Sequence, residues 1–144
     1  MLQSRFNAEE VIDAGHPPVA RGIVCVDFDG TIFPFGDFDA SSPPIPGAVD
    51  AMIALREKGY TILIFSSRLS KAWHDHEGWP HEDAVREHVE YMKAALRREN
   101  IPYDGFAMEK IPAQAYFDDK AWRAEGDNGL WNAVNAFIAD EEGM

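Results

Sequence analysis

Three shortages in this chain each remove a class of function. It has a single cysteine, Cys25, among 144 residues, so no intramolecular disulfide can form. Cys25 lies inside an apolar run, where it reads as a small core residue. No apolar run approaches the roughly 18 residues of a membrane-spanning helix. The start, MLQSRFNAEE, lacks the basic and apolar stretches of a signal peptide. The expectation is a soluble, cytoplasmic protein with no membrane partner. Basic residues are also scarce, 13 Lys and Arg against 25 Asp and Glu, for a net charge of −12. That field repels phosphate backbones at long range, which puts nucleic acid at a disadvantage as a partner.

What is present fits one folded domain. Hydrophobic residues make up 46% of the chain and four are Trp, enough for a core at this length. Residues 1–21 form a polar lead-in ending in HPPVARG, and residues 22–144 form the single domain. Strands are expected at 22–27, YTILIF (60–65), GFAM (105–108) and AYF (115–117). Helices are expected at about 46–58, 82–98 and 130–141. LSKAWHDHEGWPHED (69–83) reads as a loop. Strands alternating with helices predict an α/β fold with a largely parallel, Rossmann-like sheet. Right-handed crossovers put the carboxyl ends of all strands on one edge, where such sheets bind ligands.

The chemistry-bearing residues follow that edge. IVCVDFDGT ends an apolar strand in two carboxylates, Asp27 and Asp29. In extended chain, residues two apart point the same way, so both can face a cleft while Phe28 turns away. Gly30 lets the backbone leave sharply. Ser66, Lys110, Asp118 and Asp119 also fall at or just after strand ends. Several carboxylates gathered without a cation are costly, and all-oxygen ligands suit Mg²⁺. Carboxylates, an ammonium and a hydroxyl together could clamp the charge that develops in phosphoryl transfer.

D-F-D-G-T-I, Ser66 at a strand end, Lys110 in E-K-I-P-A and F-D-D-K-A resemble the four motifs of the haloacid-dehalogenase-like (HAD) hydrolase superfamily, in order, from about Gly22 to Ile138. The resemblance implies a phosphatase acting on a phosphorylated substrate. Asp27 would attack phosphorus, and Asp29 would protonate the leaving oxygen and then activate water. Ser66 and Lys110 would hold the phosphoryl group. Mg²⁺ would be bound by Asp27, by Asp29 through its main-chain carbonyl, and by Asp118, with Asp119 assisting. Ser67 remains an alternative to Ser66.

Asp29 and Ser66 are 37 positions apart, and Ser66 and Lys110 are 44 apart. The expected elements consume both intervals, so no cap domain fits. Arg68 after Ser66 also suits small capless members. An uncapped site leaves cover to a second subunit in a homo-oligomer, or to a large substrate. Phe33, Phe35 and Phe38 are expected either as a flap over the site or tucked against the sheet. His74, His76 and His81 are expected on a solvated or substrate-facing loop rather than around a transition metal, and His88 as packed in its helix. Two other readings stay open: a polynucleotide-end phosphatase, and a non-catalytic binding or assembly protein on the same fold. A receiver domain would carry its acidic pair before the phosphoacceptor, and here the pair comes last.

Overall fold

The computed structural model describes residues 22–36, 38–108, 113, 115–118 and 127–142. Its elements run β1 (Ile23–Asp27), α1 (Ala48–Glu57), β2 (Thr61–Phe65), a 3-10 turn (Ser67–Leu69), α2 (Lys71–Glu77), α3 (His81–Arg98), β3 (Gly105–Ala107), β4 (Ala115–Phe117) and α4 (Gly129–Glu142). The strands form one all-parallel sheet in the order β3-β2-β1-β4. This is the expected α/β Rossmann-like fold, with no cap domain among the described residues. The chain steps outward from β1 to β3 and returns on the other side of β1, so strand order reverses between β1 and β4.

The strands read as unbroken apolar runs because both faces are buried. Val24, Val26, Ile62, Ile64, Phe106 and Phe117 join the large core with Met52, Leu55, Met92, Leu96, Val134 and Phe137 from three helices. Ile23, Cys25, Leu63 and Ala107 belong to a second, smaller cluster. Cys25 is 1% exposed there, a core residue as expected.

Local chemistry sets the helix ends. Gly47 precedes α1 with φ +88°, and a Cβ there would lie 2.7 Å from the Asn128 side chain. Both constraints require glycine. The Asn128 N–H donates to the Pro46 carbonyl at 2.7 Å, tying the start of α1 to the start of α4. Pro80 leads into α3, whose buried stripe includes Ala84, His88, Val89, Met92, Ala95 and Leu96.

Residues 69–83 correct the expectation of a loop, since they hold α2 and the start of α3. Ser70 caps α2 by accepting the Trp73 N–H at 3.3 Å, and Gly78 ends it at φ +74°. A serine before a short segment and a glycine after it are ordinary helix punctuation. The polar composition between them hid it.

Candidate active site

Strand register brings the predicted carboxylates together. Asp27 is the last residue of β1 and pairs with Phe65, after which comes Ser66. Val26 pairs with Phe117, after which comes Asp118. Asp27, Ser66 and Asp118 therefore stand within about one residue of the same level on three adjacent strands, each about 4.8 Å from the next. Asp27 and Asp118 are half-buried, and Ser66 is buried. The group sits where strand order reverses, the usual ligand position in such sheets. Lys110 and Asp119 lie outside the described residues.

Beyond Asp27 the chain folds into a tight turn. The Phe28 N–H donates to the Phe65 carbonyl at 3.1 Å, Gly30 to Phe33 at 2.6 Å, and Phe33 to Phe28 at 3.0 Å. These bonds use the Phe28 and Phe33 carbonyls and leave the Asp29 carbonyl out of the turn. Phe28 is fully buried and stacks on Phe33 with centroids 4.8 Å apart. Phe33 is thus tucked onto the core, while Phe35 and Phe38 are exposed. Gly30 has φ +82°, and a Cβ on it would fall 2.1 Å from the Phe35 ring. Phe35 closes directly over the backbone next to Asp29. Thr31 is fully buried, and its hydroxyl has no hydrogen-bond partner among the described residues.

The Ser66 hydroxyl accepts the Arg68 N–H at 3.0 Å, capping the 3-10 turn, and keeps its own proton to donate. Ser67 is exposed. The turn delivers Arg68, whose contacts the sequence did not disclose. Its Nε donates to Asp29 Oδ2 at 2.8 Å and its Nη2 to Asp29 Oδ1 at 3.0 Å. This is a two-point fork, with Arg68 at 7% and Asp29 at 15% side-chain exposure. Nη1 donates to the Phe38 carbonyl and lies 3.4 Å from His88 Nδ1. The guanidinium also sits 5.4 Å from the Phe28 ring centroid. Arginine suits this position because its planar donors match a carboxylate pairwise.

Behind Arg68 lies a histidine cluster. His74 is fully buried, which corrects the expectation that it sits on a solvated or substrate-facing loop. Its Nε2 is 2.6 Å from the Arg68 carbonyl, and its Nδ1 is 2.8 Å from His81 Nδ1. A carbonyl only accepts, so Nε2 carries the proton; in a neutral His74 ring Nδ1 then accepts from the His81 Nδ1–H. His88 is buried as expected and stacks nearly parallel to His74 at 6.2 Å. His76 is 82% exposed. The burial arises because α2 folds His74 back onto the 3-10 turn.

No family model matches this sequence, nor does any curated protein. Among solved structures, the chain is similar to the conserved protein coded by a locus from Bacteroides thetaiotaomicron. The two superpose with a TM-score of 0.52 at 19% identity, over 85% of this chain and 92% of that one. At that identity the likeness is one of fold.

Proposed function

We propose that the protein is a Mg²⁺-dependent phosphatase that hydrolyses a phosphate monoester through an aspartyl-phosphate on Asp27. The observation that carries this reading is the meeting of Asp27, Asp29, Ser66 and Asp118 at the carboxyl ends of β1, β2 and β4. The resemblance of the four motifs to HAD hydrolases supplies their roles.

The donor set fits the cation. Asp27 and Asp118 offer hard carboxylate oxygens on neighbouring strands, as Mg²⁺ prefers. The Asp29 carboxylate is engaged by Arg68, while its main-chain carbonyl lies outside the turn's hydrogen bonds. Asp27, Asp118 and that carbonyl would hold the ion, which when bound supplies positive charge to a phosphoryl group.

In the first step a carboxylate oxygen of Asp27 bonds to phosphorus, the bond to the leaving oxygen breaks, and Asp29 gives that oxygen a proton. In the second step water attacks phosphorus, its proton returns to Asp29, and inorganic phosphate leaves with Asp27 restored. The Ser66 hydroxyl donates to a phosphoryl oxygen. In this structure Arg68 takes both Asp29 carboxylate oxygens, which fixes the side chain in one rotamer. Asp29 therefore has to release at least one of these bonds to carry the proton it gives.

The test is hydrolysis of para-nitrophenyl phosphate with Mg²⁺ and with excess chelator, for wild type and Asp27→Asn. The expected result is Mg²⁺-dependent release in wild type alone, with a phosphorylated Asp27 peptide after acid quench. Undiminished release in chelator, or turnover by Asp27→Asn within about tenfold of wild type, overturns the reading.

A further inference from the structure

A groove of about 250 Å³ opens beside the candidate site, with Phe38, Trp79, Pro80, Asp83, Glu87 and His88 in its lining. It is smaller than the roughly 300–1,000 Å³ pockets of drug-sized ligands, and suits one flat ring system. His88 gives it polarity. The side chain is 2% exposed, and its Nδ1 faces Arg68 Nη1 at 3.4 Å. A guanidinium has donors only, so Nδ1 accepts and the neutral ring carries its proton on Nε2. Burial, then the charge of Arg68, then His74 hold the His88 pKa below its ordinary value, against the opposing pull of Glu87 and Asp29. No hydrogen bond among the described residues uses the Nε2–H, so it can donate to whatever fills the groove.

The walls and rim narrow the chemistry further. Phe38 is half exposed and sets its ring against His88 at 5.0 Å and Tyr91 at 5.6 Å. Trp79, half-buried, lies 6.2 Å from the same imidazole. Asp83 and Glu87, four residues apart on α3, bring carboxylate acceptors, and among the described residues no Lys or Arg lines the groove. One of those carboxylates also takes the Arg86 guanidinium at 3.2 Å, and the other takes the Tyr91 hydroxyl at 2.9 Å. Aromatic faces, one N–H donor and carboxylate acceptors match a flat heterocycle with one acceptor and an amino group. The groove is also adjacent to the candidate chemistry, since His88 and Asp29 touch the same guanidinium. A sugar is a fitting spacer between a base in the groove and a phosphate at Asp27.

We propose that this groove is a base-binding subsite for an amino-bearing nucleobase, and that the substrate is a nucleoside monophosphate. The phosphate half rests on the phosphatase reading, and the base half does not. A free mononucleotide and a strand end carry the same chemistry. The net charge of −12 favours the free mononucleotide.

The experiment separates these parts. Unphosphorylated cytidine and uridine are titrated against the protein, read by tryptophan fluorescence and by the His88 imidazole NMR signals. Cytidine is expected to bind saturably and shift His88, with uridine weaker by about fivefold or more because its carbonyl faces carboxylates. The exposed substitutions Asp83→Asn and Glu87→Gln together are expected to erase that difference. In turnover, CMP is expected to exceed ribose 5-phosphate and a 5′-phosphorylated oligonucleotide in kcat/KM. Absence of nucleoside binding, or equal affinity for cytidine and uridine, overturns the base subsite. Equal turnover of ribose 5-phosphate and CMP overturns it too, while leaving the phosphatase reading intact. Nucleoside binding without hydrolysis of any ester supports the subsite and sinks the phosphatase reading. Faster turnover of the oligonucleotide overturns the free mononucleotide as substrate.

Discussion

Arg68 meets Asp29 with two parallel donors, a geometry that lysine cannot reproduce. If Asp29 is the proton donor and acceptor, Arg68→Lys keeps the charge and loses the alignment, and kcat should fall by about 10²-fold. Asp29→Asn should cost about 10²–10⁴-fold. With a good leaving group, that loss should fall more on the hydrolysis of phospho-Asp27 than on its formation. Acid-quench mass spectrometry should then find more phosphoenzyme in Asp29→Asn than in wild type, and an unchanged level would argue against Asp29 activating water. His88 gives a prediction that needs no activity. Its pKa is lowered from 6.5 by burial, then by Arg68 and His74. The unfolded chain therefore binds a proton at His88 before the folded one does. Stability from this group is complete above about pH 6.5 and is lost as pH falls below that value. Thermal unfolding from pH 8 to pH 5 should show a smaller decline in His88→Phe than in wild type. Equal declines would mean that His88 is not the titrating group.

The short elements carry the parts that were hardest to foresee. The four strands and three of the helices were legible because β-branched runs and a 3.6-residue stripe are strong signals, as in Thr61–Phe65 and His81–Arg98. The positions of Asp27, Asp29, Ser66 and Asp118 at one edge followed from strand ends alone. α2 was not legible, because a polar helix of seven residues shows its caps, Ser70 and Gly78, but hardly a stripe. The Arg68–Asp29 fork joins residues 39 positions apart, and the burial of His74 depends on the carbonyl of Arg68. Neither leaves a periodic trace. Asp104 is another such case. Buried at 1% exposure, it accepts the Ile62 N–H at 2.7 Å and the Arg56 guanidinium at 2.8 Å, pinning β2 to the segment before β3. Asp104→Ala removes both bonds and leaves a strand N–H buried without its acceptor. The expected loss is about 3 kcal/mol, measured by urea unfolding. Arg56→Ala, on the more exposed partner, should differ in leaving the Ile62 bond in place. A loss below about 1 kcal/mol for Asp104→Ala would show that the pin is dispensable.

At the scale of the whole molecule, a cationic site would operate inside an anionic field. A net charge of −12 repels a phosphate dianion at distances well beyond contact, while the Arg68 guanidinium is already matched by Asp29 and projects little charge. Added salt shortens the reach of that repulsion, from about 30 Å at 0.01 M to about 8 Å at 0.15 M. Direct contacts between half-buried groups and a bound phosphate are screened far less. If the protein is a phosphatase, kcat/KM for a dianionic monoester should therefore rise with potassium chloride over this range, with kcat nearly constant. The rise should be steeper for a substrate bearing a further phosphate and should vanish for binding of an uncharged nucleoside. Stopped-flow and steady-state measurements at constant Mg²⁺ would read all three. A kcat/KM that falls with salt would mean that local positive charge outweighs the net charge at the mouth of the site, and electrostatic attraction would then replace repulsion as the term that governs encounter.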